Sequence, residues 1–178
     1  MTPEEFRKII LPEGRRLYAL AFRYLNNREE AEDAVQEVIM KLWAERNNKR
    51  EYANVAAWCT IVTRNCCIDA LRRKQRLRFQ DISEVNVPSE YQTDHRDEAD
   101  DHEAVKMIRT IVSRMKEPYR SAVILKDMEG YSYEEAAEAM QTNINALRTI
   151  LSRARKNIRE DMERLYNYGT GENKRTAR

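Results

Sequence analysis

The sequence predicts an all-α protein: two small helical bundles joined by an acidic, flexible linker. Three observations lead there. Apolar residues recur at three- and four-residue steps, and no segment shows the strict alternation of a strand. The 178 residues hold only 4 glycines and 4 prolines, and Pro3, Pro12, Gly14, Pro118 and Gly130 stand where helical patterns start or stop. The modest net charge of +2 is also unevenly spread: residues 1–78 carry +5, residues 79–104 carry −8 and residues 105–178 carry +5. Two basic modules therefore flank an acidic bridge. The modules suit a polyanion, and the bridge should avoid one.

Composition bounds the function. Hydrophobic content of 42% with charged content of 35% implies thin cores and a large wetted surface. No apolar run reaches the length of a membrane span, and the start of the chain lacks the apolar stretch of a signal peptide, so no membrane insertion and a cytoplasmic location are expected. Cys59, Cys66 and Cys67 are odd in number, lie in one expected helix and lack C-x-x-C spacing. They read as reduced, buried small hydrophobes. No phosphate-cradling glycine loop, nucleophile motif or metal-ligand cluster is evident, and both histidines, His95 and His102, fall in the linker, where solvation is their expected state. The chain is not expected to be an enzyme or to need a cofactor or metal.

The elements follow in order. Thr2 caps a first helix, with Pro3 at its first position and Glu5 closing a capping box. Pro12 and Gly14 interrupt it, and a second helix runs to about Leu25, stopped by Asn26 and Asn27. A third spans about Arg28 to Arg46. Residues 47–54 form a polar loop, and Asn54 is a candidate cap for a fourth helix reaching about Arg76. Residues 79–104 are dominated by Asp and Glu without sustained periodicity, the composition of a disordered or loosely held linker. Helices are then expected over 103–115, 118–128, 132–140 and 144–166. Gly130 ends the second of these, and the third is opened by Ser132 with Glu135 in another capping box. The tail at 169–178 is expected to be disordered.

The last two helices carry the sharpest pattern. Ile144, Leu147, Leu151, Ala154, Ile158, Met162 and Leu165 share one stripe, and Asn145, Arg148, Thr149, Ser152, Arg155, Lys156 and Arg159 share the opposite one. One face is made for burial, and the other carries the cations, amides and hydroxyls that contact phosphates and base edges. With a short helix and a tight turn before it, this is the pattern of a helix-turn-helix recognition helix. The third helix differs. Ala31, Ala34, Val35, Val38 and Leu42 form its apolar stripe, while Asp33, Gln36, Glu37, Met40 and Lys41 share the other side. An acidic-amide face on a basic module suits a basic protein surface better than DNA.

Four blocks, AEDAVQEVIMKLW (31–43), RNCCIDALRRK (64–74), GYSYEEAAEAM (130–140) and LSRARKNIRE (151–160), together resemble the extracytoplasmic-function (ECF) group of the sigma-70 family, in that family's order and spacing. These are bacterial initiation factors that give core RNA polymerase its promoter specificity. The resemblance implies that residues 1–78 are sigma region 2, which binds polymerase and melts the −10 element, and that 105–168 are sigma region 4, whose helix-turn-helix holds the −35 element. It implies core RNA polymerase and promoter DNA as partners, with no small-molecule substrate. An anti-sigma factor is a further candidate, since the family commonly has one. By the same resemblance, the face from Asp33 to Lys41 docks on the clamp helices of the largest polymerase subunits.

For the −10 element, unstacked bases need aromatic faces, amides and nearby cations. The loop offers Asn47, Asn48, Lys49, Arg50, Tyr52 and Asn54. Trp58 is a further candidate platform, although a tryptophan near a helix start is more often core. Arg64, Asn65, Asp69, Arg72 and Arg73 follow on the helix, where Asp69 either touches DNA or orients an arginine. The resemblance makes the loop the captor of a flipped base. For the −35 element, Asn143 is a candidate cap, Asn145, Arg148, Thr149 and Ser152 face the groove, and Arg153, Arg155 and Lys156 hold phosphates, with Arg120 adding a backbone contact. The chain departs from the family at Gln141, where glycine is usual in the turn, at Ile150, where a basic residue is common, and at Ala136, where a bulkier aliphatic is common. The competing reading is a stand-alone dimeric helix-turn-helix regulator, which needs neither the 33–41 face nor the 47–54 loop.

Overall fold

The structure, a computed structural model, describes residues 1–47, 55–81 and 103–172. The chain divides into two compact units, Met1–His95 and Arg96–Arg178. Every regular element among the described residues is helical.

The first unit holds α1 (Pro3–Ile9), α2 (Gly14–Leu25), α3 (Arg28–Glu45) and α4 (Val55–Asp81). Local chemistry sets most of its boundaries. Thr2 accepts from the Glu5 amide at 3.2 Å while the Glu5 carboxylate accepts from the Thr2 amide at 2.8 Å, so two orphan donors are satisfied reciprocally. A single 3-10 turn, Leu11–Glu13, carries the chain past Pro12. Asn26 ends α2 in the left-handed region at φ 51°, a conformation asparagine tolerates better than most residues. Asn27 then caps α3 by accepting from the Glu30 amide at 2.9 Å. The apolar stripes of α2, α3 and α4 meet over Leu17, Val38, Leu42, Trp58, Cys59 and Cys66, and α1 closes the end with Phe6 and Ile10. All three cysteines are free and buried, as their setting in the chain suggested. Helix α4 runs about one turn beyond the expected stop at Arg76.

The second unit holds α5 (Glu103–Arg114), α6 (Tyr119–Val123), α7 (Tyr133–Ala139) and α8 (Ile144–Glu172). The helix expected over 118–128 is α6 followed by a π turn, Ile124–Met128, in which the Glu129 amide reaches back to the Ile124 carbonyl at 2.9 Å. Gly130 at φ 74° then lets the chain reverse at little steric cost. Ile111, Val112, Ile124, Leu125, Leu147 and Leu151 are buried, with small residues Ala136, Ala137, Ala139 and Ala154 where α7 and α8 approach.

Two expectations about α8 need correction. Residues 169–172 belong to the helix rather than to a disordered tail. Gly169 and Gly171 cost only about 1 kcal/mol each in a helix and do not stop it. The buried stripe also ends early: Ala154 is fully buried, whereas Leu165 is 41% exposed. At 1.5 Å per residue α8 is about 44 Å long and α5 about 18 Å.

Candidate nucleic-acid and protein interfaces

In the first unit, burial of Ala31, Ala34, Val38 and Leu42 turns the opposite side of α3 to solvent. Asp33, Gln36, Met40 and Lys41 are exposed there, and Met40 is exposed at 69% despite being apolar. Glu37 is half-buried between two cations: Lys41 Nζ at 2.8 Å on its own helix and Arg73 at 3.5 Å on α4. The hydrogen bond from Lys41, with Arg73 adding to it, holds the Glu37 carboxyl below its usual range. Lys41 also donates to the Cys66 thiol at 3.3 Å. A second pair, Lys74 with Glu30 at 2.5 Å, repeats the α4-to-α3 tie. The acidic ridge of α3 is therefore stitched to the cationic face of α4, a link between helices that periodicity alone does not reveal.

On α4, Asn65, Asp69, Arg72 and Arg73 share an exposed face, and Arg64 donates to Asn65 Oδ1 at 3.1 Å. Asp69 lies 3.7 Å from Arg72, one turn along the same helix. Trp58 does not belong to this surface. It is 4% exposed and packs with Phe6, Leu17, Val38 and Leu42, so no ring face is open to a base. The three-helix core claims the ring because α4 enters the bundle within its first turn. Asn47 is exposed, while Asn48, Lys49, Arg50, Tyr52 and Asn54 lie outside the described residues.

Arg16 is a positioning residue that no sequence pattern marked. It donates to the Thr60 hydroxyl at 3.0 Å and the Ala56 carbonyl at 3.1 Å, and pairs with Glu13 at 2.6 Å. It thereby fastens α2 to the start of α4. Its partners on α4 are 40 and 44 residues away, so only the fold brings them together.

In the second unit, α7, the turn and α8 form a helix-turn-helix. Ser132 accepts from the Glu135 amide at 3.0 Å and the Glu135 carboxylate closes the box at 2.8 Å. Gln141 takes the left-handed conformation, φ 53°, that glycine usually supplies. Asn143 caps α8 by accepting from the Ala146 amide at 2.8 Å, so its carbonyl oxygen is committed to the helix start. Beyond it Asn145, Arg148, Thr149, Ser152, Arg153, Arg155 and Lys156 are all exposed, and Ile150 is half-buried. The Thr149 hydroxyl donates to the Asn145 carbonyl at 3.1 Å. The Tyr133 ring is flanked by Lys126 at 4.9 Å and Arg148 at 5.3 Å from its centroid, within cation–π range. Arg155 makes a two-pronged pair with Asp127, Nε at 3.0 Å and Nη2 at 2.6 Å. That pair raises the Arg155 pKa further. Arg120 is half-buried, with Nε donating to the Val112 carbonyl at 3.3 Å. Asp127 and Tyr133 escaped sequence reasoning because neither lies on the α8 periodicity.

Among the described residues no cluster of three or more His, Cys, Asp or Glu could hold a metal, and no helix is long and apolar enough to cross a membrane. His95 and His102 lie outside the described residues.

Comparison with known proteins gives the same partition. Residues 9–77 match sigma-70 region 2, and residues 106–158 match sigma-70 region 4. The chain is 31% identical over 142 residues to the RNA polymerase sigma factor SigV of Bacillus subtilis, covering 80% of this chain and 81% of that protein. It is 29% identical to the ECF RNA polymerase sigma factor SigE of Mycolicibacterium smegmatis, over 82% of this chain and 56% of that one. Among solved structures, the sigma factor RpoE from Bartonella quintana, in complex with the anti-sigma factor NepR, matches with a TM-score of 0.70 and 26% identity, over 90% of this chain and 98% of that one.

Proposed function

The chain belongs to the sigma-70 family, within its extracytoplasmic-function group, and from that premise we propose how its surfaces divide the work of an RNA polymerase sigma factor. Residues 1–78 act as region 2, 79–104 as an acidic connector and 105–168 as region 4. The α3 ridge of Asp33, Gln36, Glu37, Met40 and Lys41 docks on core polymerase. Asn65, Arg72 and Arg73 on α4, with Asp69 orienting Arg72, face the −10 element, and the 47–54 loop receives an unstacked base. Asn145, Arg148, Thr149 and Ser152 read the −35 element from the major groove, while Arg153 and Lys156 approach phosphates.

The observation that carries this reading is the first unit's pair of exposed faces. One is acidic and amide-rich, the other cationic, and they lie on adjacent helices of one core. A sigma factor needs both surfaces, and a stand-alone dimeric regulator needs neither. On this reading the protein binds and melts without a catalytic centre of its own, and it works in the cytoplasm beside polymerase and chromosome. An anti-sigma factor is a third partner by analogy with the Bartonella RpoE, whose structure contains one.

Transcription in vitro tests it. Core polymerase and genomic fragments should yield specific start sites only when this chain is added. The proposal fails if core polymerase neither binds the chain nor changes its start sites.

A further inference from the structure

Arg155 presents itself in the sequence as one more phosphate ligand, since it stands on the polar stripe of the recognition helix between Ser152 and Arg159. Its geometry speaks for another role. Both Nε and Nη2 are engaged by the two oxygens of Asp127, at 3.0 and 2.6 Å. This is the fork-to-fork arrangement that fixes a guanidinium in orientation as well as in place. The pair's charges largely cancel, so it offers a DNA backbone little net cation and releases few counterions.

The partner's position matters as much as the pairing. Asp127 sits in the π turn Ile124–Met128, ahead of the helix-turn-helix, while Arg155 sits about three turns into α8. The bond spans 28 residues of sequence and joins the segment before α7 to the middle of the recognition helix. Tyr133, the first residue of α7, lies beside it and contacts Arg148 through its ring. The buried residues of α7 are all alanine, Ala136, Ala137 and Ala139, which allow close approach but lock angle poorly. A directional bond outside that core supplies what small side chains lack.

We propose that Asp127 and Arg155 are a positioning pair that sets the angle of α8 against the rest of its unit, so that Arg155 governs −35 discrimination without itself serving as a phosphate ligand. The inference rests on α8 reading the −35 element.

The test uses holoenzyme assembled from core polymerase and the full chain. Its probes are a duplex carrying the −35 segment of a start site mapped in vitro and the same duplex with that segment scrambled. The readout is the ratio of the two affinities, taken at a temperature where circular dichroism shows each variant folded. Asp127→Asn keeps the shape of the side chain and adds one net positive charge. A positioning pair predicts that the ratio falls about tenfold despite the added charge. Arg155→Lys keeps the cation but loses the fork, and the ratio should fall comparably. The exchange Asp127→Arg with Arg155→Asp should recover part of the loss. If Asp127→Asn instead tightens both probes equally, or Arg155→Lys leaves the ratio unchanged, Arg155 is an ordinary phosphate ligand and the proposal is overturned. Wild-type holoenzyme that cannot tell the two probes apart would refute the assignment of α8 itself, which separates that failure from failure of the pair.

Discussion

At the scale of the residue, Trp58 shows how neighbours decide between the two roles its side chain's type allows. An aromatic beside a polar loop fits a base platform, yet three helices close over this ring. Trp58→Ala should therefore cost about 3–5 kcal/mol in urea unfolding. A platform residue would leave stability nearly unchanged while weakening DNA melting. The cysteines make a second residue-level case. Burial pushes the Cys59 thiol up to about 11 and the Cys67 thiol up to about 12. Neither is a thiolate near neutrality, so iodoacetamide at pH 8 should leave both unmodified in the native chain and label both after unfolding. Because these values lie above that of an exposed thiol, about 8.5, their contribution to stability is complete below that pH and declines as pH rises towards the folded values.

At the scale of the element, boundaries were legible wherever the chemistry is local. Thr2, Ser132 and Asn143 all cap as their spacing to the next turn implies, because a cap needs only three or four residues of context, while Asn27, read only as a helix stop, also caps α3. The π turn at Ile124–Met128 and the run of α8 to Glu172 were not legible. The first holds two fully buried residues, Ile124 and Leu125, and in the second glycine costs a helix only about 1 kcal/mol. Gln141 offers a clean element-level measurement. Its left-handed backbone costs a residue with a Cβ roughly 1 kcal/mol. Gln141→Gly should recover about that much in thermal unfolding while leaving polymerase binding intact. The candidate faces of α3 and α8 should also separate by phenotype. Arg148→Ala should lower −35 discrimination about tenfold or more. Asp33→Ala with Glu37→Ala should weaken polymerase binding and spare −35 binding by the isolated chain. Equal losses on both assays from both variants would contradict separate roles.

At the scale of the whole molecule, the charge plan sets the expectations. The 21 residues between α4 and α5 reach at most roughly 75 Å when extended. One and a half turns of duplex need on the order of 50 Å. Both modules can thus engage one promoter, each weakly alone and tightly when tethered. A connector carrying −8 between modules of +5 each is either a competitor with DNA for those modules or a solvated spacer. Deleting 82–101 should raise the DNA affinity of the free chain at low salt, as measured by fluorescence anisotropy, with the gain shrinking as salt is added. Unchanged affinity would make the connector a plain spacer. The two-module plan was readable from charge and periodicity because both are properties of long segments. The pairing of Glu37 with Arg73 and of Asp127 with Arg155 was not, because it depends on which helices become neighbours.

The Glu37–Arg73 contact has an outcome reaching past its own small energy. On the proposed division of surfaces, one carboxylate answers both to a face that docks on protein and to a cation that faces nucleic acid. Whatever captures Glu37 from outside leaves Arg73 seeking a new counter-charge, and a phosphate is the one on offer. Thermodynamic reciprocity then makes the two ligands of the first unit allies: each lowers the threshold for the other by the same amount.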